Sequence, residues 1–153
     1  MCASFTPFAW GDDGHRDRRT DVSGGAALAV SLVTLVSFDI DGTLEVGDPP
    51  GIVPIALVRT AKRLGYVVGS CSDRPISYQR HLWERLHIAV DFTVLKHQLA
   101  DVKGRFPAAA YYHIGDTDID DYFATGAGFS FLRADAPARR LWPSNLFAEP
   151  PAC

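Results

Sequence analysis

Val33-Thr-Leu-Val-Ser-Phe-Asp39-Ile-Asp41-Gly42-Thr43-Leu44 is the stretch that decides the fold. It opens as a Val-rich run of β-branched and apolar residues, too short to cross a membrane. Such a run reads as a strand buried on both faces, the pattern of a parallel sheet. Two carboxylates end it. Asp39 and Asp41 are two apart, so in extended geometry their side chains leave the same face, and Gly42 lets the backbone turn away sharply. Like charges this close are costly unless a cation sits between them.

Onward from this point the chain alternates helix and strand. Residues 44–51 form a turn-rich loop by their glycines and prolines. Residues 54–64 have helical spacing, with Leu57, Ala61 and Leu64 expected inward and Gly65 as the stop. Residues 66–70 are a second apolar strand. Pro75 then opens a helix to about His87, with Ile76, Leu82, Trp83 and Leu86 expected inward. Residues 91–95 read as a third strand, 97–106 as a helix and 109–114 as a fourth strand. Ile119, Tyr122, Phe123 and Ala127 make a helical stripe, and residues 128–132 a fifth strand. This order predicts a doubly wound, five-stranded, mainly parallel α/β sheet over residues 31–133, with right-handed crossovers. Residues 134–153 are a Pro-rich tail whose Leu141, Trp142, Leu146 and Phe147 either pack onto the body or form an exposed patch.

Working back toward the start, residues 1–30 carry the charged run His15-Arg-Asp-Arg-Arg19 and little apolar periodicity, which predicts a disordered leader. Arg18-Arg19 ahead of an apolar run imitates a twin-arginine signal, but that run leads into Asp39 with no small-residue cleavage site. Removing it would remove the first strand. At 153 residues, with 47% apolar and 22% charged side chains, one domain with a sizeable core is expected. A net charge of −3 gives no electrostatic reason to expect nucleic acid or a membrane surface as partner. Cys2, Cys71 and Cys153 are odd in number and lack metal-ligand spacing, so a reducing cytoplasm is the expected location.

The chemistry-bearing residues share a position. Asp39, Ser72, Lys96 and Asp116 each fall at, or just beyond, the carboxyl end of a separate strand read from the sequence. In an open α/β sheet those ends line the ligand crevice at the topological switch point. Carboxylates, a hydroxyl and an ammonium in one cleft are what Mg²⁺-assisted phosphoryl transfer requires.

Asp39-Ile-Asp41-Gly42-Thr43 resembles the DxDGT signature of the haloacid dehalogenase superfamily, mostly Mg²⁺-dependent phosphatases and phosphotransferases working through an aspartyl-phosphate. Ser72 in Ser72-Asp73-Arg74 resembles that family's second motif, Lys96 its third, and Gly115-Asp116 with Asp120 its acidic fourth. The resemblance covers residues 35–132 and implies a capless member. It implies Asp39 as nucleophile and Asp41 as general acid and base. Mg²⁺ would be held by the Asp39 and Asp116 carboxylates and the Asp41 backbone carbonyl, and phosphate by Ser72 and Lys96. Asp120 would meet the metal directly or through water, or else pair with the lysine. An acid at Asp41 favours phosphatase chemistry over dehalogenase or P-type ATPase chemistry.

Each residue also has a plainer reading. Ser72 could cap a helix, Asp118 and Asp121 could complement a helix dipole, and His87, His97 and His113 lack partner spacing. Three other functions stay open: a receiver-like domain served by a partner kinase, a catalytically weak phosphate-binding module, and a nucleic-acid end phosphatase, against which the acidic pI speaks. No cap domain fits between the motifs. The cleft should therefore take a bulky or macromolecular phosphorylated substrate, or be covered by a neighbouring subunit of a homo-oligomer or by the tail with Trp142 and Phe147. Only the loop over residues 44–52 remains as a local flap, of fixed shape.

Overall fold

The computed structural model describes residues 33–151; the expected leader over residues 1–30 lies outside them, as do Cys2 and Cys153. Within the unit spanning residues 30–149 the described elements, in chain order, begin with β1 (Thr34–Phe38), α1 (Ile55–Arg63), β2 (Val67–Ser72), α2 (Ile76–Arg85) and β3 (Phe92–Leu95). After a single 3₁₀ turn, Lys96–Gln98, come α3 (Leu99–Arg105), β4 (Ala110–Gly115), α4 (Asp118–Gly126), β5 (Ser130–Arg133) and the short α5 (Ala136–Arg139). The strands form one sheet in the order β3-β2-β1-β4-β5, every pair parallel. The chain thus winds outward from β1 to β3, crosses over, and winds out again through β4 and β5. This is a doubly wound, Rossmann-like α/β fold, and its switch point lies where β1 separates β2 from β4.

Alternation along β1 divides the interior. Val36 and Phe38 pack with Ile55, Val58 and Ala61 of α1 and with Leu82 and Trp83 of α2. Leu35 packs on the other face with Leu99 and Val102 of α3 and Ala124 of α4. All three β1 residues are fully buried, and burying a side chain of that size stabilises by roughly 1.5–3 kcal/mol. Ser37, and Asp39 just past the end of the strand, therefore emerge on the α3/α4 face.

Helix rotation departs from the expected stripes in three places. On α1, Ile55 and Val58 are buried with Ala61, while Leu57 only packs against the core edge. On α2, Gln79 is fully buried beside Leu82 and Trp83. Ser70 Oγ donates to Gln79 Oε1 (2.7 Å) and accepts from Trp83 Nε1 (2.9 Å), while Gln79 Nε2 donates to the carbonyls of Arg74 (2.8 Å) and Val94 (3.1 Å). Every polar atom of that amide is thus satisfied, which is what permits its burial. On α4, Asp120 and Ala124 face inward, and Ile119 and Tyr122 are exposed. The cap fixes that rotation. Thr117 Oγ1 accepts from the Asp120 N–H, and Asp120 Oδ2 accepts from the Thr117 N–H and hydroxyl, so Asp120 is drawn back under the first turn.

Between β1 and β2, and between β2 and β3, the chain forms only loop and one helix, so neither segment holds a cap domain. The loop over residues 44–53 is pinned, with Glu45 N donating to Val53 O (2.8 Å), Gly51 N to Leu44 O (2.8 Å) and Val53 N to Thr43 O (2.9 Å). In the tail Leu146 is buried, Trp142 and Phe147 pack on the α1/α2 core, and Leu141 is exposed. Among the described residues no helix is long and apolar enough to cross a membrane.

Candidate functional site

At the carboxyl ends of the strands lies a cleft of about 250 Å³ lined by Asp39, Asp41, Gly42, Pro49, Ser72, Asp73, Lys96, Asp116 and Thr117. The fold reaches it from four strands. Asp39 follows β1, Ser72 ends β2, Lys96 follows β3 and Asp116 follows β4. All five residues read from the sequence as catalytic, metal-binding or phosphate-binding line this one cleft, and Asp120 stands buried behind it.

Asp39 and Lys96 are buried in the cleft floor. The Lys96 ammonium lies 3.0 Å from Asp120 Oδ1, 3.1 Å from the exposed Asp73 carboxylate and 3.9 Å from Asp39 Oδ2. Burial works against its charge, but the Asp39 and Asp120 carboxylates outweigh burial and raise its pKa. For Asp39 burial raises the pKa to about 8, with the Asp120 charge adding to the rise and Lys96 opposing it. Asp120 goes the other way. Burial would raise it, yet the neighbouring His113 ring, the hydrogen bonds from Thr117 and the charge of Lys96 lower it. One ammonium cannot neutralise two carboxylates, so the two are pushed in opposite directions, Asp39 toward its protonated form and Asp120 toward its charged form.

At the mouth, Asp41 is tied to other partners. Its Oδ2 accepts from Arg74 Nε at 2.6 Å and its Oδ1 from the Asp48 N–H at 2.9 Å, and the Arg74 guanidinium lies over the Tyr78 ring. Ser72 caps no helix. Its oxygen accepts from the Arg74 N–H (3.1 Å), which leaves its hydroxyl proton to donate into the cleft. Asp116 is steered by Thr43, whose hydroxyl donates to it at 3.3 Å. Gly42 has φ +72°, and a Cβ there would meet Asp116 Oδ2 at 2.1 Å, so only glycine lets the two segments meet. Gly115 likewise leaves room for Asp120, since a Cβ would stand 2.6 Å from its side chain.

Carboxylate oxygens of Asp39, Asp116 and Asp120 lie within 4.8 Å of one another. An all-oxygen, carboxylate-rich set beside a half-exposed cleft suits a hard divalent cation such as Mg²⁺. Asp120 Oδ2 is committed to the α4 cap and its Oδ1 lies 3.0 Å from Lys96, so Asp39 and Asp116 are the members of this cluster that line the cleft. The Asp41 carboxylate is outside this cluster. Cys71 is also buried nearby; burial and then the Asp39 charge push its thiol up, away from nucleophilic use. Lys103 sits on α3 and donates to the Gly128 carbonyl, away from the cleft.

Sequence reading gives no role to Arg74, Thr43, Gln79 or Ser37, and takes His113 as an ordinary histidine without partner spacing. Arg74 stands inside the Ser72-Asp73-Arg74 motif and could have been singled out by that adjacency. His113 and Ser37 are polar residues in otherwise apolar strands, which was the available signal. Compared with protein-family models and with curated proteins, the chain matches none.

Proposed function

We propose that this protein is a Mg²⁺-dependent phosphomonoester hydrolase of the haloacid dehalogenase type, acting through an aspartyl-phosphate on Asp39. The observation that carries the reading is the meeting of Asp39, Ser72, Lys96 and Asp116, from the ends of four parallel strands, in one small cleft. Asp39 and Asp116 would hold Mg²⁺, which supplies positive charge against the phosphate oxygens and replaces the proton on Asp39.

Asp39 attacks phosphorus in line, dividing one difficult displacement into two easier ones. The Ser72 hydroxyl and the Lys96 ammonium donate to the equatorial oxygens, whose charge grows in the transition state. Asp41 gives a proton to the leaving oxygen and later takes one from the attacking water. For this it must exchange its contact with Arg74 for the substrate, so Arg74 sets how readily the acid becomes available. A cleft of about 250 Å³ is small for a ligand site. It accommodates the phosphoryl group and leaves the rest of the substrate at the surface, in keeping with a bulky or macromolecular phosphomonoester.

A panel of phosphorylated metabolites and phospho-oligomers tests the reading. EDTA should abolish turnover, and Asp39→Asn should remove it while the circular dichroism spectrum is unchanged. Near wild-type kcat in Asp39→Asn would overturn the nucleophile assignment.

A further inference from the structure

Behind the cleft floor a line of buried polar groups runs from β1 to α4. Ser37 and His113 are register partners on adjacent strands, so both side chains leave the sheet on the face that carries Asp39. Ser37 Oγ lies 3.0 Å from His113 Nδ1, and His113 Nε2 lies 3.5 Å from Asp120 Oδ1. Ser37 and Asp120 are fully buried and His113 is 1% exposed. An apolar pair would fill that layer with no imidazole or hydroxyl to desolvate. Asp120 Oδ1 itself carries no aligned hydrogen bond, although Lys96 is 3.0 Å away.

We infer that Ser37 and His113 are positioning residues that brace Asp120 from behind, so that Lys96 is free to turn toward phosphate. This rests on the reading of Lys96 as a phosphate ligand. The Ser37 hydroxyl donates to Nδ1, which leaves the single ring proton on Nε2, facing Asp120 Oδ1. The other tautomer would set a nitrogen lone pair against a carboxylate oxygen. Asp120 Oδ2 is already held by Thr117, so the carboxylate has one oxygen left for the floor. When Lys96 is drawn toward an incoming phosphate, Oδ1 would stay buried without a donor, a costly condition. The His113 N–H supplies that donor and keeps Asp120 from swinging after the lysine.

Three measurements test this. Nuclear magnetic resonance of imidazole-¹⁵N protein, without added metal and at neutral pH, should place the His113 proton on Nε2, and Ser37→Ala should give a mixture of tautomers. A proton on Nδ1 in the wild type overturns the inference, whether or not any substrate is turned over. Urea unfolding of His113→Phe, Asp120→Asn and the double variant should be non-additive, whereas additive losses would show that ring and carboxylate act independently. In turnover of the best substrate, His113→Phe should lower kcat by about 10–100-fold, the range for outer partners of site ligands. His113→Gln, which can place an amide N–H near the same point, should recover most of it. Wild-type kcat in His113→Phe would sink the positioning role. If no phosphomonoester is hydrolysed but the tautomer and the coupling are found, the brace stands and the proposed function fails.

Discussion

Asp41 at the mouth of the cleft meets Arg74 with about a quarter of its side chain and a third of the guanidinium in water; Asp120 at the floor meets Lys96 with neither group so exposed. Both are carboxylates paired with a cation, yet the physics of the two pairs differs. In water the attraction is weak and the partners exchange freely. Out of water each charge depends on the other, and removing one strands its partner. The same chemical pair therefore serves as a releasable contact in one place and as a fixture in the other. A group that must give and take protons belongs at the mouth, and a group that must hold an ammonium in place belongs at the floor.

The largest expected effect tests the releasable side. With a substrate of poor leaving-group quality, Asp41→Asn should lower kcat by about 10²–10⁴-fold, the usual contribution of a positioned general acid. With a good leaving group the same variant should still accumulate phosphoryl-enzyme, and Asp39→Asn none. Acid-quench trapping reads this directly, and equal loss in both variants would mean that mouth and floor do not divide the work.

A second test compares the cations. Lys96→Met leaves two buried carboxylates without their cation and should cost on the order of 3 kcal/mol, the lower end for a broken buried pair because Asp39 can take up a proton. Arg74→Met should leave the urea midpoint close to wild type. Comparable losses from the two substitutions would erase the contrast.

A third test is in pH. Burial, with the Asp120 charge beside it, raises Asp39 to about 8, against roughly 3.9 in an unfolded chain. A carboxyl raised in this way favours the folded state while it is protonated. Its contribution is complete below about pH 4 and is lost as pH rises through the folded value. Without metal, wild type should lose stability relative to Asp39→Asn between pH 5 and 9, and added Mg²⁺ should reverse the loss. A difference that is flat with pH would place the proton elsewhere.

The sheet and the convergence on the cleft were legible because both follow from local signals. Runs such as that ending in Asp39 carry period and composition, and a residue's place relative to a strand end is a matter of counting. Helix rotation was not legible to the same degree. Ile119 and Tyr122 look like core residues, but Thr117 and Asp120 close a cap that turns them to solvent, and the cost of burying Asp120 is met by Lys96, distant in sequence. Pairing of that kind, like Arg74 with Asp41 by charge or His113 with Ser37 by hydrogen bonding, exists only once strands and helices are assembled. Sequence alone offered polar residues at positions where apolar ones were expected.

Gln79 gives the loop after β2 an unusual status. Loops that carry chemistry generally belong to the part of a protein that opens by local fluctuation, long before the whole chain unfolds. Here the Arg74 carbonyl, between Ser72 and the start of α2, is gripped by an amide whose other bonds end in the β2 and β3 strands. The loop is thereby enrolled in the same cooperative unit as the sheet. It is expected to open only with the sheet, so that a substrate meets Ser72 in one standing arrangement instead of selecting it from a fluctuating set.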